Sequence, residues 1–325
     1  MSGRPQVQGP KPTAPPRGHP SHAGWSGPRL WRVLRFAWSG IFVHESMGSA
    51  AQIAYYLLFA TFPFLLSLAS LMAFLPIPDL MERLLRLLAD IVPPAAAELM
   101  RNSVERLVTR QRSGLLSIGL IVAVWAAANA VESFMQGLNR VHGVREHRAF
   151  WKTRGIAILL AVGVSSFAVL GLLALWFGSQ VSHWWAARGG LGPLPVQVWD
   201  VARWPLVLGF LIVAVDQLYF IGPATRERWR WVTPGAVVAV LGWMAASLGF
   251  SAYVRHFGSY NATYGSIGAV IILLTWMYLT AFLILLGAEI NVAVKETRIA
   301  EELGIGEGEG TAGRALDSPD DGRRD

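Results

Sequence analysis

The chain contains no cysteine and little charge. The absence of cysteine from its 325 residues excludes disulfide bonds, thiolate nucleophiles, iron–sulfur clusters and zinc sites with a Cys ligand. Charged residues make up only 15% of the sequence, whereas soluble domains carry roughly 25%. Hydrophobic residues make up 53%, and the mean hydropathy is +0.42. These values exclude an ordinary soluble enzyme and are typical of a protein with several membrane spans.

Six apolar stretches are long enough, at about 20 residues each, to cross a bilayer as helices. They are residues 49–75, 115–138, 156–178, 201–221, 233–253 and 264–290, here called spans 1 to 6. Pro63 lies within span 1, where neighbouring helices favour a kink over a break. We therefore predict an all-α integral membrane protein with six transmembrane helices.

Two further helical segments are predicted outside these spans. Residues 29–45 mix Arg with Trp, Leu and Phe at helical spacing, which is typical of an N-terminal interfacial helix. Residues 78–112 are amphipathic and contain Pro93 and Pro94, which predicts an amphipathic helical hairpin between spans 1 and 2.

The Lys and Arg residues predict the orientation of the chain. With the N-terminus inside, 19 of the 28 lie on the cytoplasmic side, so we expect both termini to be cytoplasmic. Residues 1–28 are Pro-rich and residues 298–325 are Gly-rich and acidic, which predicts disordered tails around a transmembrane domain at 29–297. The start of the chain has no signal-peptide pattern. The same orientation rule explains the pI near 10.1, so no nucleic-acid partner is expected.

Two spans carry seams of small residues at spacings of three and four. Such seams let helix backbones approach closely, which favours packing over a solute path. The seam of span 2 comprises Gly119, Ala123, Ala126, Ala130, Ser133 and Gly137, and that of span 5 comprises Gly235, Ala239, Gly242, Ala246 and Gly249.

Polar side chains also form stripes, and all lie toward the predicted cytoplasmic ends of the spans. They are Glu45, Ser49, Gln52 and Tyr56 around span 1, Asn129, Glu132, Gln136 and Asn139 on span 2, Asp216 on span 4 and Glu289 on span 6. Carboxylates inside a membrane are costly and usually face a partner or a water-filled path. A polar cavity open to the cytoplasm would explain all of these residues. The alternative is ordinary ion pairing near the interface, which remains open for Glu132 and Glu289.

Enzyme signatures are sparse in this sequence. The seven His residues are scattered, no HExxH motif occurs, and the Gly-rich run at 304–313 lacks the Lys and Ser/Thr of a phosphate-binding loop. We predict no catalytic residue, no metal site and no cofactor.

Several sequence blocks resemble a known family. The run YNATYGSIG at 260–268, then TWMY at 275–278 and LGAEIN at 286–291, resembles the C-terminal signature of the YihY/virulence factor BrkB family. Within it the resemblance singles out Tyr264, Gly265, Gly268, Trp276, Gly287 and Glu289. The blocks AQIAYY at 51–56, GLNRV at 137–141 and WVTPGA at 231–236 follow the family order.

The resemblance implies a six-helix protein of the bacterial inner membrane. The family is named partly for serum resistance and was formerly misassigned as ribonuclease BN, whose metal cluster this sequence lacks. One departure is Tyr219-Phe220, where the family often has Tyr-Arg, so no role of that Arg carries over.

The intramembrane acids favour a transporter or permease-like protein of unknown substrate. The alternative is a structural or regulatory membrane protein of envelope integrity. A hydrolase or nuclease is disfavoured, since no acid, base and nucleophile can be grouped. The expected partners are the lipid bilayer and an unidentified solute or ion, and a homo-oligomer is compatible with the sequence.

Overall fold

A computed structural model describes residues 28–72, 114–188, 194–225, 231–256 and 259–302, with side chains described for 28–65, 121–174, 201–225, 231–254 and 267–302. These ranges contain seven helices and no strand. The helices are α1 (Arg29–Val43), α2 (Ser46–Met72), α3 (Gly114–Val141), α4 (Phe150–Arg188), α5 (Leu194–Ile221), α6 (Pro234–His256) and α7 (Ser259–Glu302).

Helices α2 to α7 correspond to spans 1 to 6, and each is long and apolar enough to cross a membrane. The predicted all-helical membrane fold with six spans is thereby confirmed. Helix α2 continues through Pro63, as expected for a proline in a membrane helix. The predicted hairpin at 78–112 and most of the two predicted tails lie outside the described residues.

The predicted N-terminal helix is present as α1, and it runs antiparallel to the end of α7. Arg32 near its start pairs with Glu301, and His44 just after its end contacts Glu289. The helix buries one face against the bundle and exposes a second apolar face. The buried residues are Val33, Phe36, Ala37, Gly40 and Ile41, and the exposed ones include Trp31, Leu34, Trp38 and Phe42. Its placement at the membrane interface stays a prediction.

Helix α7 is the central element of the bundle. It contacts α1, α2, α3 and α6, while the remaining close pairs are α1 with α2, α2 with α3, α3 with α4, α4 with α5, and α5 with α6. The core between these helices contains Ile53, Leu138, Leu160 and Leu285. This arrangement brings the start of α1, the ends of α3, α5 and α7, and the start of α6 to one end of the bundle.

Two helices extend beyond the predicted spans. Helix α7 continues to Glu302, so the predicted domain boundary at 297 falls inside it. Helix α4 begins at Phe150, which places Arg154 in a helix, whereas predicted span 3 begins only at residue 156. Hydropathy detects only the apolar part of a helix, and both extensions carry polar side chains that bond to neighbours, such as Arg298 to Glu302.

Candidate functional site

Asp216 forms the center of a hydrogen-bonded network where α5 ends and α6 begins. Thr233 donates its hydroxyl to Oδ1 of Asp216 at 2.5 Å and its backbone N–H to Oδ2 at 3.1 Å. The same Thr233 hydroxyl accepts the N–H of Ala236 at 3.2 Å, which makes Thr233 the N-cap of α6. Asp216 is only 1% exposed, and both of its carboxylate oxygens bond to the residue that begins the next helix.

Asn291 of α7 completes this network. Its Nδ2 donates to the Thr233 hydroxyl at 2.9 Å, and its Oδ1 accepts the Gly235 N–H at 2.8 Å. The first backbone N–H groups of a helix have no partner within the helix, so Asn291 supplies one from a neighbouring span. The ends of three helices, α5, α6 and α7, are thereby joined through side chains.

A close crossing of α6 and α7 holds Asn291 in place. A Cβ atom at Gly235 would overlap the carbonyl oxygen of Gly287, and a Cβ at Gly287 would overlap the Tyr219 hydroxyl. Tyr219 donates that hydroxyl to the carbonyl of Ile284 at 2.5 Å. The glycines are needed here for space, because two backbones and a tyrosine meet at one point.

A cleft of about 470 Å³ opens beside this network, at the end of the bundle where α5 ends and α6 begins. Asp216, Thr233 and Asn291 line its inner part, and basic side chains stand around it. The full lining comprises Arg29, His142, Asp216, Tyr219, Phe220, Thr233, Pro234, Ala288, Asn291, Val292, Val294, Lys295 and Arg298. The cleft therefore combines a hydrogen-bonded carboxylate, polar amide and hydroxyl groups, apolar walls and cations.

Glu289 lies two residues before Asn291 on α7, and its side chain faces a different partner. It is fully buried, accepts the Ser46 hydroxyl at 2.8 Å and lies 3.0 Å from Nδ1 of His44. Gly40 of α1 leaves room for this carboxylate, since a Cβ there would overlap its Oε2 atom. These contacts hold the junction between α1 and α2 against α7.

Glu132 and Asn129 both bond to one buried arginine. Nη1 of Arg154 donates to Oδ1 of Asn129 at 2.6 Å and to Oε2 of Glu132 at 3.3 Å, and Nη2 donates to the Trp125 carbonyl at 2.9 Å. The guanidinium also stacks 3.8 Å from the Trp125 ring centre. Arg154 is only 4% exposed, whereas the Glu132 side chain is 25% exposed, so a buried arginine with cation–π support joins α3 to α4 through a partly exposed carboxylate.

The remaining polar residues of the stripes make contacts of their own. Asn139 accepts the Ala224 N–H at 2.7 Å and donates to Glu146 at 3.0 Å, which fixes the α3–α4 loop beside the end of α5. Gln52 donates to Gln136 at 3.4 Å between α2 and α3. Glu45 is exposed and Tyr56 is half-buried.

The structure thus distributes the predicted cavity residues over several separate contacts between helices. Among the predicted set, Asp216 is the residue that lines the described cleft. Glu289, Glu132 and Asn139 each lie in a different polar group. A single polar path through all of them stays a prediction.

The seams of small residues differ along their length. On α3, Ala123, Ala130 and Ser133 are buried, and a Cβ at Gly137 would contact Leu285 at 3.1 Å. On α6, Ala239 is buried, whereas Gly249 is exposed and a Cβ there would meet nothing within 4 Å. Ala126 and Ala246 are half-buried, and the surroundings of Gly119 lie outside the ranges in which side chains are described.

The motif residues described by the structure lie in helix contacts. Gly268 is buried, Trp276 donates its indole N–H to Ser247 at 3.4 Å, and Gly287 lies in the crossing with α6. The surroundings of Tyr264 and Gly265 lie outside the described side chains.

Sequence reasoning did not select four residues of these groups: Thr233, Asn291, His44 and Arg154. The Thr-Pro pair at 233–234 is a recognisable helix start, with an N-cap followed by proline at the first helical position. Asn291 lay within a motif block without an assigned role. His44 and Arg154 carried no signal of their own, since their partners are distant in sequence.

A bundle of apolar helices with buried polar contacts between them defines an integral membrane protein with several spans. The sequence matches the family described as Virulence factor BrkB over residues 37–308, and the chain belongs to that family. No solved structure significantly matches the chain.

Three relatives show how far the similarity extends. The putative ribonuclease-like protein YfkH of Bacillus subtilis is 34% identical over 83% of this chain and 98% of its own length. A UPF0761 membrane protein of Chromohalobacter salexigens is 30% identical over 84% of this chain and 65% of its own. Another, of Tolumonas auensis, is 27% identical over 86% of this chain and 92% of its own.

Proposed function

We propose that this protein is a transporter or permease-like protein, and that the cleft beside Asp216 is its cytoplasmic binding site. The observation that carries the proposal is the position of a buried carboxylate on the wall of an open cleft of about 470 Å³. Acidic residues in membrane spans are expensive and commonly mark solute or ion paths. Hydrogen-bonding groups from three helices surround the same cleft.

The side on which the cleft opens follows from the charge distribution. With 19 of 28 Lys and Arg residues on the side of the N-terminus, the cleft faces the cytoplasm of a bacterial inner membrane in this proposal, and both termini lie there. Arg29 lines the cleft and begins the first helix, so the helix ends around the cleft lie on the same side as the N-terminus.

The contacts of Asp216 require a matched pair of variants to separate transport from packing. Asp216→Asn replaces one acceptor oxygen by an NH₂ group, so one of the two Thr233 donors loses its acceptor. Thr233→Ala removes the same hydroxyl contact while leaving the carboxylate in place. Asp216→Asn is expected to cost roughly 1–2 kcal/mol of stability. Thr233→Ala is expected to cost more, because it also removes the N-cap bond to Ala236 and the acceptor of the Asn291 amide.

The experiment measures release from proteoliposomes loaded with a mixture of amino acids, organic acids, phosphorylated metabolites and inorganic ions. Mass spectrometry identifies any compound lost faster than from protein-free liposomes. Transport that depends on the carboxylate predicts that, at equal folded protein, Asp216→Asn abolishes release, whereas Thr233→Ala lowers it only in part, because Thr233 is one of several polar groups that line the cleft. Release at the wild-type rate from folded Asp216→Asn protein would contradict a role of the carboxylate in transport.

A second candidate function is a structural or regulatory membrane protein of the cell envelope. The observation that favours it is the pairing of Glu132, Glu289 and Asn139 with partners on other elements, which binds the helices together. This function predicts that no compound is released by the wild type. It also predicts that Asp216→Asn and Thr233→Ala change stability and have no other effect.

The name of the Bacillus subtilis relative mentions a ribonuclease-like protein. Among the described residues of this chain, no group of three His, Asp or Glu side chains could hold a metal ion. Nothing in those residues therefore supports proposing that activity here.

A further inference from the structure

The cleft beside Asp216 carries an excess of cationic side chains. Arg29, Lys295 and Arg298 line it, together with His142, whereas Asp216 is the acidic residue of the lining. Asp216 directs both carboxylate oxygens to Thr233, as described above, and is 1% exposed. The exposed charged groups that line the cleft itself are therefore basic.

Two glutamates near the opening already pair with these cations. Glu301 lies 2.5 Å from Arg32 and 3.7 Å from Arg29, and Glu302 lies 2.8 Å from Arg298. Arg29 and Arg298 are more than half exposed, and ion pairs at exposed positions are weak. A phosphate group offers more acceptor oxygens than a carboxylate, so it can replace these glutamates as the partner of the two arginines.

The inner part of the cleft suits a ligand with both polar and apolar parts. Thr233 and Asn291 supply a hydroxyl and an amide, while Phe220, Val292 and Val294 form apolar wall. The cleft therefore accepts an anionic group at its opening and apolar or hydroxyl-bearing groups beyond it.

Two exposed tryptophans lie within two residues of cleft-lining residues in the sequence. Trp31, two residues after Arg29, is 57% exposed, and Trp231, two residues before Thr233, is 68% exposed. Exposed tryptophan is enriched where a membrane protein crosses the lipid headgroup region. Exposed tryptophans on these two segments are what a cleft opening at the level of lipid headgroups would require.

From this combination we propose that the cleft binds the phosphate headgroup of an anionic lipid. Basic pockets between spans on the cytoplasmic side are suited to such headgroups. This inference rests on the proposed function and deepens it, since it names the ligand class of the same site. Lys295 and Arg298 hold the phosphate, and the neutral polar groups of the inner cleft contact the remainder of the headgroup.

The test measures lipid binding by the purified full-length protein in mild detergent, using native mass spectrometry. The probes are phosphatidylglycerol, the zwitterionic lipid phosphatidylcholine and the soluble compound glycerol 3-phosphate. We expect phosphatidylglycerol to bind at least tenfold more tightly than the other two. Equal binding of both lipids would overturn the charge argument, and equal binding of glycerol 3-phosphate would overturn the assignment to a lipid.

Variants identify the site. Lys295→Gln should weaken phosphatidylglycerol binding about fivefold, the expected effect of one basic residue near a membrane surface, and Lys295→Arg should restore it. The matched control is Lys152→Gln, which removes an exposed lysine of α4 that does not line the cleft. An equal loss in Lys152→Gln, or no loss in Lys295→Gln, would overturn the proposal.

These experiments distinguish a failure of the binding proposal from a failure of the transport proposal. Selective, Lys295-dependent lipid binding without release of any compound from proteoliposomes, and without exchange of that lipid between leaflets, would support the binding site and contradict the transporter. Release of a soluble compound without selective lipid binding would contradict the binding site and leave the transporter supported.

Discussion

The crossing of α6 and α7 allows a graded prediction within a single helix. Three glycines of α6, at positions 235, 242 and 249, belong to the same predicted seam but meet different surroundings. A Cβ at 235 would overlap the Gly287 carbonyl and lie 2.6 Å from Cγ of Asn291. A Cβ at 242 would lie 3.3 Å from Cδ2 of Leu283, and one at 249 would meet nothing within 4 Å.

These distances set the expected effect of each Gly→Ala substitution on the free energy of unfolding. At Gly249 the helix gains roughly 0.5–1 kcal/mol from the better helix former, with no opposing contact. At Gly242 the end of a flexible leucine side chain shifts by a few tenths of an ångström, so the gain is largely cancelled. At Gly235 the obstacle is backbone, and overpacking costs roughly 1–3 kcal/mol.

The cost at Gly235 includes a second contribution. The displaced backbone would stretch the 2.8 Å bond from the Gly235 N–H to Asn291, worth about 1 kcal/mol. We therefore expect Gly235→Ala to be roughly 2–4 kcal/mol less stable than wild type.

The assay is unfolding of the purified full-length variants in mixed detergent micelles, followed by circular dichroism. The predicted order of stability is Gly249→Ala first, then Gly242→Ala, then Gly235→Ala well below wild type. If Gly235→Ala were as stable as Gly249→Ala, the two backbones would not meet at this crossing. The explanation of the network around Asn291 would then be wrong.

Three further predictions concern other parts of the molecule. Arg154→Gln should lower the free energy of unfolding in detergent by roughly 2–4 kcal/mol. Adding Glu132→Gln should recover part of that loss, because no unpaired carboxylate then remains. A double variant less stable than the single one would contradict the ion pair. Glu289→Leu should lower the free energy of unfolding by more than about 2 kcal/mol, since two buried donors lose their acceptor. Unchanged unfolding would contradict the role of Glu289 in holding α1 and α2 against α7. Reporters fused after Glu296 and before Arg29 should both report cytoplasm, and a periplasmic signal from either would reverse the orientation.

The spans could be predicted from sequence because their physical signal is local. A run of about 20 apolar residues identifies a membrane helix without knowledge of its neighbours. The true length of α7 could not be predicted from sequence, because its last turns are polar and their stability depends on contacts such as that of Arg32 with Glu301. Hydropathy contains no information on such distant pairs.

The candidate site could be predicted only in part. Asp216 was identified because a lone acid in an apolar run is costly wherever it lies. Its partner Thr233 follows 17 residues later, across a loop, and only the folded chain brings the two together. Asn291 carried no such signal, because it lies in a motif block about 200° around α7 from Glu289, and the two side chains face different helices.

The pairing of Glu132 illustrates a second limit. Its alternative explanation, an ion pair near the basic loop, named the correct type of interaction. The partner Arg154 was placed in the loop, since a charged residue next to an apolar run was taken to end the span. A buried arginine inside the helix is tolerated here because Asn129 and the Trp125 carbonyl accept from its two terminal nitrogens and the Trp125 ring lies against the guanidinium.

The central claim, that the cleft loads an anionic lipid for movement across the bilayer, is tested most directly by translocation of fluorescent phosphatidylglycerol in proteoliposomes. Dithionite bleaches the fluorophore in the outer leaflet and so reports exchange between leaflets. We predict faster exchange with wild type and Lys152→Gln than in protein-free liposomes, about fivefold slower exchange with Lys295→Gln, and little effect on fluorescent phosphatidylcholine. Exchange no faster than in protein-free liposomes, or equal for the two lipids and unaffected by Lys295→Gln, would contradict the claim.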